Sequence, residues 1–330
     1  MIISQKIFKR KKKKITFRDA YECLWKPKKK GILVTYKQTC SYLERWVLPK
    51  LGKLKLKKIT PMLVAETVQP LAKEKKFITI KACLMRINEI LELCVCVGIL
   101  KYNRCKKIQK LFPVPESTPH NYINAKYLHL LFLEVLKSFQ YRKKSWFLPY
   151  VLFHVYSMLR PNEVASIKWE YIDIQENKLT MPAYLMKKRR EFSLYIHPEV
   201  MKLLQKIRKD YPSKDNWVFP FNRNGKHISK QYLAKWLHDS NLRDKLSPHG
   251  LRSTARTFLK DINCPYEIAE DCLSHLQGTK TNRAYIRGDY YNQRIYYYSL
   301  WWEFIKSKLK EAMDILKAKL LEYKVDNLII

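Results

Sequence analysis

A proline-rich segment at residues 112–121 divides the chain into two parts. Pro113, Pro115 and Pro119 fall within seven positions, and closely spaced prolines break helices and stiffen a connection. The chain has 330 residues, 47% of them hydrophobic, which is enough for about two domains with separate cores. Only 7 glycines are present, few for an all-β protein with many tight turns. The pattern therefore predicts two domains, neither of them all-β.

The part before this linker has a helical pattern. Thr60 can cap a helix, and Pro61 suits its first position. Between residues 78 and 97 apolar residues recur every three or four positions, and Gly98 follows, which is typical of an amphipathic helix. The apolar residues of this stripe are Ile80, Cys83, Leu84, Ile87, Ile90, Leu91 and Cys94. Many lysines lie between the stripes, so this domain is either a generic bundle or a clamp on one side of a duplex.

Positive charge dominates the composition. Lys and Arg number 65 against 29 Asp and Glu, for a formal net charge of +36. Such an excess favours a polyanionic partner and salt-dependent binding. The basic run from Lys9 to Lys14 is either a solvated arm or a specific DNA contact. A membrane-surface protein is the alternative, but the sequence has no uncharged apolar run long enough to span a bilayer, so we expect no membrane partner.

The cysteines do not form a metal-site pattern. Of the 8 cysteines, Cys94 and Cys96 make a C-x-C pair, and no C-x-x-C pair occurs, so the spacing of zinc sites is missing. We expect reduced cysteines that act as small buried hydrophobic residues. We expect no metal and no cofactor.

One β segment interrupts the helices after the linker. Apolar residues alternate at 172–174, a turn is predicted at 175–177, and strands are predicted at 179–182 and 192–196. Between the last two strands lies a basic hairpin tip, Met186-Lys187-Lys188-Arg189-Arg190. Its charges either solubilise the turn or bring one ammonium group to a phosphate site.

His249 and Arg252 stand at a predicted helix start. Ser247 can cap this helix, with Pro248 at its first position. A buried stripe follows at Leu251, Ala255, Phe258 and Leu259. Because His249 and Arg252 are three residues apart, they share a face near the helix start, where backbone N–H groups and the helix dipole favour anions. Taken alone, H-x-x-R is also common as a surface pair.

Three further positions extend this pattern. Arg160 stands before Pro161 at another predicted helix start, with Glu163 near enough to hold its guanidinium. The planar guanidinium of an arginine binds two phosphate oxygens at once and stays charged. His275 follows a short amphipathic segment, where a histidine can also serve as a C-terminal helix cap. Tyr285 lies ten residues later in a polar, basic stretch, although each of its many neighbouring tyrosines is as suited to packing.

The motifs occur in one order along the chain. They are R-P-x-E at 160–163, M-K-x-R-R at 186–190, P-H-G-L-R-S-T-A-R-T at 248–257, L-S-H at 273–275 and R-A-Y at 283–285. In this order and spacing the sequence resembles the tyrosine recombinase (phage integrase) family, and within it the phage P4-like branch. The resemblance extends from about Thr16 to Phe304, and the segments at 16–18, 48–52 and 59–61 look like the family's core-binding domain.

The resemblance implies roles for six residues. Arg160 and Arg252 match the family's phosphate-clamping arginines, and His275 matches the histidine that hydrogen-bonds the phosphate. In-line attack on a phosphodiester needs charge stabilisation at the equatorial oxygens and a proton for the departing alkoxide. Cationic side chains supply both. Because the motifs contain no carboxylate cluster suited to Mg²⁺, a two-metal nuclease is disfavoured.

The other three matches concern the reaction itself. Tyr285 matches the nucleophile that forms a 3′-phosphotyrosyl link. His249 matches the histidine assigned to acid/base work. Lys187 matches the hairpin lysine that protonates the leaving 5′ oxygen, and the adjoining Lys188 is a competitor for that role.

The resemblance also implies the fold. It is mainly α with a small antiparallel β-sheet, combining a helical, SAM-like core-binding domain with a catalytic domain of the DNA breaking-rejoining fold. The expected divisions are a basic flexible arm at 1–15, the core-binding domain at 16–112, a linker at 113–122, the catalytic domain at 123–304 and a C-terminal helix at 305–330. That helix either packs within its own chain or docks on a neighbouring subunit as an exchange element. The two domains would form a C-shaped clamp around duplex DNA.

The function that follows is a site-specific recombinase or integrase of a mobile genetic element, acting through a Holliday junction without metal or ATP. The expected partners are double-stranded DNA attachment sites, a homotetramer on DNA formed from a monomer or weak oligomer, and an excisionase or host DNA-bending protein. The expected location is the bacterial cytoplasm, at the nucleoid. The expected further DNA contacts are Lys9, Arg10, Lys11, Lys12, Lys188, Arg189, Arg190 and Arg256.

Two alternatives and two departures accompany this interpretation. A type IB topoisomerase uses the same residue types, and a DNA-binding protein or transcription factor can keep the fold without catalysis. The long C-terminal helix favours a recombinase, and the presence of all six residues argues for catalysis.

The sequence has Ser157-Met158-Leu159 where the family commonly has a glycine before the first arginine. It also has a short basic arm where P4-like integrases carry a domain for arm-type DNA sites.

Overall fold

A computed structural model describes residues 15–33, 35–113, 120–142, 146–221, 227–275 and 290–326 of the protein. Side chains are described for these residues except 139–142 and 319–326. The chain divides into a first unit, Met1–Thr118, and a second unit, Pro119–Ile330. The division falls inside the segment for which the sequence predicts a linker, and each unit has its own hydrophobic core.

The first unit is built from helices. Thr16 and Asp19 form a capping box at its start, since each side chain accepts the backbone N–H of the other residue. The α-helices are α1 (Phe17–Ala20), α2 (Lys26–Lys29), α3 (Tyr36–Tyr42), α4 (Leu48–Leu51), α5 (Pro61–Lys73) and α6 (Phe77–Cys96). Two π-helical turns, at Tyr21–Trp25 and Leu43–Val47, join α1 to α2 and α3 to α4.

The predicted helix signals act as expected in α5 and α6. The Thr60 hydroxyl accepts the Leu63 N–H at 3.3 Å, and Gly98 has a φ of +72° just beyond α6. The whole predicted stripe of α6 is buried. Six of the eight cysteines are buried as predicted, whereas Cys23 is half-buried and Cys96 is exposed. No described helix is long and apolar enough to cross a membrane.

The second unit places a three-stranded sheet among helices. Its strands, β1 (Ile172–Asp173), β2 (Lys178–Met181) and β3 (Phe192–Tyr195), are antiparallel in the order β1-β2-β3, as predicted. Its helices are α7 (Leu128–Arg142), α8 (Phe147–Ser157), α9 (Pro161–Ala165), α10 (Pro198–Asp210), α11 (Tyr232–His238), α12 (Gly250–Asp261), α13 (Tyr266–Cys272) and α14 (Tyr291–Asp326). The small antiparallel sheet within a helical unit confirms the predicted fold class.

The C-terminal helix α14 begins at Tyr291, well before the predicted residue 305. It packs along α7 and contacts α8, α12 and α13. Trp301 is fully buried, and its indole N–H donates to the Val155 carbonyl at 3.1 Å. Trp302, Ile305 and Ala312 are buried as well. The described part of α14 therefore packs within its own chain, and a role in subunit exchange remains a prediction.

Candidate active site

Arg160 is held at the start of α9 by Glu163. The carboxylate accepts the Arg160 backbone N–H at 2.9 Å and pairs with Nη1 at 3.1 Å. Glu163 is only 2% exposed, so this ion pair is fixed inside the protein. Just before it, Met158 has a φ of +53°. Where the family commonly has glycine, a buried methionine here adopts the left-handed conformation of the turn between α8 and α9.

Arg252 points from α12 into the interior and is 4% exposed. Its guanidinium donates to the carbonyl of Met158 and, at 2.6 Å, to that of Leu273. Burial first, and then the charge of Arg160, lower the pKa of Arg252 to about 10. Carbonyl dipoles orient this cation without cancelling its charge, so its surroundings remain favourable for an anion.

The turn after α13 joins the two arginines. Ser274, with a φ of +53°, accepts a hydrogen bond from Arg160 Nη1 at 3.2 Å. The next residue, His275, places its Nε2 3.2 Å from Arg252 Nη2. A small pocket lies here, and its lining includes Arg160, Met186, Lys188, Ser274 and His275. Arg160 and His275 thus face one pocket, and the buried Arg252 contacts the His275 ring beside it.

His275 also has a carboxylate partner that the sequence analysis did not find. Its Nδ1 lies 2.8 Å from Glu270 Oε2, and the other oxygen of Glu270 accepts the Arg256 Nε–H at 2.9 Å. Burial opposes ionisation of Glu270, but the hydrogen bonds from Arg256 and His275 outweigh it and keep the pKa of this carboxyl below its usual value. Arg256, predicted as a DNA contact, is therefore engaged in an ion pair inside the second unit.

The predicted cap of the His249 helix is present. The Ser247 hydroxyl accepts the Gly250 N–H at 3.0 Å, and the predicted stripe of α12 is buried. The regular helix begins at Gly250 rather than at Pro248. His249 is half-buried at this start. Burial first, and then the charges of His120, Arg252, Arg160 and Lys187, lower the pKa of His249 to about 4, so its ring is neutral at pH 7.

His120 is a second residue that the sequence analysis missed. Its ring lies 4.4 Å from that of His249, between ring centroids. The segment after it is fastened to α12, since the Asn121 carbonyl accepts both the Ser247 N–H and the Ser247 hydroxyl. A Cβ on Gly250 would lie only 1.9 Å from the Asn121 carbonyl oxygen, so this approach requires glycine. The glycine directly after His249 is the sequence signal that indicates such a contact.

The hairpin tip lies beside this cluster. The Lys187 backbone N–H is 3.4 Å from Glu163 Oε1, which ties the tip to α9. The side chains of Lys187, Lys188, Arg189 and Arg190 are exposed, and Lys188 lines the pocket with Arg160. The structure therefore keeps both lysines as candidates for the proton donor.

Five of the six predicted residues thus lie in one neighbourhood: Arg160, Lys187, His249, Arg252 and His275. Tyr285 lies outside the described residues, and so do Lys9, Arg10, Lys11 and Lys12. Within the described part of the chain, no group of three or more His, Cys, Asp or Glu side chains is placed to hold a metal ion.

A site with two arginine forks, neutral imidazole and an adjacent lysine pair is suited to the phosphodiester chemistry of tyrosine recombinases. Residues 128–291 match the model described as the phage integrase family, and residues 17–111 match that of the phage integrase central domain. The chain belongs to the phage integrase family. This confirms the resemblance seen in the sequence, and the P4-like branch remains a prediction.

Curated relatives agree with this assignment. Prophage integrase IntA of Escherichia coli (strain K12) is 25% identical over 295 residues, which are 88% of this chain and 70% of the relative. The integrase of Shigella phage Sf6 is 21% identical over 265 residues, or 80% of this chain and 68% of the relative.

Solved structures show the same fold. A lambda integrase dimer bound to a COC′ core site has a TM-score of 0.63 at 15% identity, covering 84% of this chain and 80% of that one. A lambda integrase tetramer bound to a Holliday junction has a TM-score of 0.62 at 15% identity, with coverages of 82% and 77%. The Tn1549 transposon integrase in complex with transposon right end DNA has a TM-score of 0.61 at 13% identity, covering 82% of this chain and 98% of that one.

Proposed function

We propose that this protein is a site-specific DNA recombinase of a mobile genetic element, which cuts and rejoins DNA through a 3′-phosphotyrosyl link and a Holliday junction. The observation that carries the proposal is that Arg160 and His275 line one pocket, while Arg252 Nη2 lies 3.2 Å from the Nε2 of His275. The Nε of Arg160 is buried and has no hydrogen-bond partner among the described residues. A buried donor without a partner costs free energy, and a phosphate oxygen would satisfy it.

The reaction assigns one task to each group. Tyr285 Oη attacks phosphorus, and the neutral ring of His249 accepts the tyrosine proton. The bond between phosphorus and the 5′ oxygen breaks, and the lysine at 187 or 188 gives that oxygen a proton. Arg160 and Arg252 stabilise the charge on the non-bridging oxygens. The phosphotyrosine keeps the ester bond, so a 5′ hydroxyl of another strand can reverse the reaction without ATP or metal.

The assembly is proposed by analogy with the structural neighbours. A lambda integrase tetramer bound to a Holliday junction shares the fold, and we expect a homotetramer of this chain on its attachment sites and a monomer or weak oligomer without DNA. An excisionase or host DNA-bending protein would assist it. The place of action would be the bacterial nucleoid.

A nicked suicide duplex carrying the attachment core tests this function. In EDTA, the wild-type protein should form a covalent protein–DNA adduct, because no step requires a metal. Tyr285→Phe should abolish the adduct and leave DNA binding within about twofold, since only the nucleophilic oxygen is lost. Tyr296→Phe, at an exposed position of α14, is the matched control and should react as the wild type. A wild-type protein that binds its core site without forming an adduct would instead support the non-catalytic alternative.

A further inference from the structure

Glu270 connects two side chains, one on α12 and one in the turn after α13. It lies on α13, where one carboxylate oxygen is 2.9 Å from Arg256 Nε and the other is 2.8 Å from His275 Nδ1. The carboxylate is 17% exposed and the His275 ring 39%. Beyond the ring, His275 Nε2 lies 3.2 Å from Arg252 Nη2. The result is a continuous chain of contacts from Arg256 through Glu270 and His275 to Arg252.

This chain determines which nitrogen of His275 carries the proton. An ionised carboxylate only accepts hydrogen bonds, so the Nδ1 that faces Glu270 must be protonated. In the neutral ring Nε2 is then a bare acceptor, and the Arg252 N–H beside it can donate to it. The partner of one ring nitrogen thus fixes the state of the other.

We propose that Glu270 is a positioning residue that holds His275 with its Nδ1–H toward Glu270 and its Nε2 toward the scissile phosphate, and that phosphate binding loads a proton onto this Nε2 with Glu270 as the counter-ion. The proposal rests on the proposed function for its phosphate. A bare Nε2 cannot donate to a phosphate oxygen, whereas a protonated one can. One proton is therefore taken up from solvent as the phosphate is bound.

The charges around the ring explain why the proton arrives with the phosphate. Burial first, and then the charges of Arg252 and Arg160, lower the pKa of His275, whereas the hydrogen bond and charge of Glu270 raise it. These groups lie on α12, at the start of α9 and on α13. The charged residues Lys188, Arg190, Glu191 and Asp271 line the pocket with the ring as well. A bound phosphodiester brings negative charge to the arginines and offsets their effect. Glu270 then stabilises the imidazolium that forms.

A simpler role for Glu270 would be to anchor Arg256 to α13. Glu270→Gln disturbs both roles, because its one carbonyl oxygen cannot satisfy both the Arg256 Nε–H and the His275 Nδ1–H, so a second substitution is needed to separate them. Arg256→Gln removes the anchoring contact and leaves the carboxylate oxygen at His275 in place.

The first arm of the test needs no DNA cleavage. In free wild-type protein labelled with ¹⁵N-histidine, the His275 resonances are assigned by their loss in His275→Gln. The proposal predicts a neutral ring protonated at Nδ1 and bare at Nε2, and the same tautomer in Arg256→Gln. A neutral ring protonated at Nε2 in the wild type, or the loss of the Nδ1–H tautomer in Arg256→Gln, would overturn it.

The second arm uses Glu270→Gln, with Glu176→Gln as the same substitution at an exposed turn. We expect Glu270→Gln to slow adduct formation on the suicide duplex about 10- to 100-fold and to move the alkaline limb of its pH–rate profile to lower pH. DNA binding and the control variant should stay as in the wild type. If the alkaline limb of the Glu270→Gln pH–rate profile lay at the same pH as that of the wild type, the proposal would be contradicted. If wild type forms no adduct, the proposed function fails, while the tautomer measurement still decides the role of Glu270.

Discussion

Arg252 brings a positive charge into the interior with carbonyl oxygens of Met158 and Leu273 as partners. The two carbonyls come from different segments, the turn after α8 and the end of α13. Both contacts use the planar fork of the guanidinium, which the compact ammonium of lysine cannot reproduce. The position of this side chain therefore depends on the shape of the arginine guanidinium and not on its positive charge alone.

Arg252→Lys should reduce the rate of adduct formation at least about 100-fold, because it removes the fork that orients the phosphate and keeps only a point charge. Single-turnover cleavage of the suicide duplex at saturating protein measures this rate. Lys260→Arg is the control, since Lys260 is exposed near the end of the same helix. If Arg252→Lys formed the adduct at a rate within threefold of the wild type, Arg252 would not hold the phosphate.

At the scale of residues, the sequence could predict contacts that are local. Arg160 and Glu163, three apart at a helix start, are paired as expected. His120 and His249 are 129 positions apart in the chain, and no local periodicity indicates that their rings meet. Glu270 and His275 are only five residues apart, but their contact depends on the turn at Ser274, whose left-handed backbone is not evident from a serine.

At the scale of elements, the start of α12 depends on its glycine. The segment after His120 lies so close that a Cβ at Gly250 would overlap the Asn121 carbonyl oxygen. Thr254 holds the same segment through a 2.7 Å hydrogen bond to the Ile123 carbonyl. This packing keeps His120 against His249 and contributes to the low pKa of His249.

Gly250→Ala should destabilise the second unit by up to about 2 kcal/mol. Alanine gains about 1 kcal/mol of helix propensity, but the overlap with backbone costs about 1–3 kcal/mol, and both atoms involved are hard to move. The displaced segment should also withdraw His120, so the pKa of His249 should rise from about 4 toward its ordinary value. Denaturant unfolding and NMR titration of His249 measure the two effects.

Ser253→Ala, on the same helix, is the control and should change neither quantity. Wild-type stability together with an unchanged pKa in Gly250→Ala would show that the segment does not need the close approach.

The elements that the sequence predicted are those with a clear period. Strict alternation marks β1–β3, and a three- and four-residue spacing marks α6 and α12. The start of α14 was not predicted, because the first buried position of its stripe is a charged residue. Arg294 is buried one turn before Tyr298 and pairs with Asp271 at 3.0 Å, so the apolar period begins only after the helix has started.

At the scale of the whole molecule, acid stability depends on buried histidine. His154 is 2% exposed, and neither of its ring nitrogens has a hydrogen-bond partner among the described residues. Burial first, and then the charge of Arg252, lower the pKa of His154 to about 3. The unfolded chain binds a proton near pH 6.5 and the folded chain only near 3, so the unfolded state gains protons first as pH falls. His154 therefore does not reduce the free energy of unfolding above about pH 6.5, and it reduces this free energy progressively as the pH falls from 6.5 to 3.

His154→Phe should therefore move the acid-unfolding midpoint of the second unit to lower pH, because the group that protonates on unfolding is gone. Stability at pH 7 should stay within about 1 kcal/mol, since a buried unpaired imidazole is replaced by an apolar ring of similar shape. Circular dichroism from pH 7 to 3 measures the midpoint. His238→Phe, at an exposed histidine, should leave it in place, and an unmoved midpoint in His154→Phe would contradict the linkage.

Net charge and motif order predicted the class of the whole molecule, because both are properties of the chain that need no coordinates. The contacts that join Arg160 to Ser274 and Arg252 to His275 are a tertiary property, and the spacing of the motifs indicates them only through the family resemblance. The partners that tune the site, Glu270 and His120, lie outside the family motifs and appear only in the fold.

In the proposed reaction, one tyrosine oxygen becomes covalently attached to DNA. The most direct measurement is mass spectrometry of the adduct formed in EDTA, after digestion with protease and nuclease. We predict that the residual nucleotide is found on the peptide that contains Tyr285 and not on the peptides that carry Tyr290, Tyr291, Tyr296, Tyr297 and Tyr298. A nucleotide on any of those tyrosines, or on a serine, would show that Tyr285 is not the nucleophile.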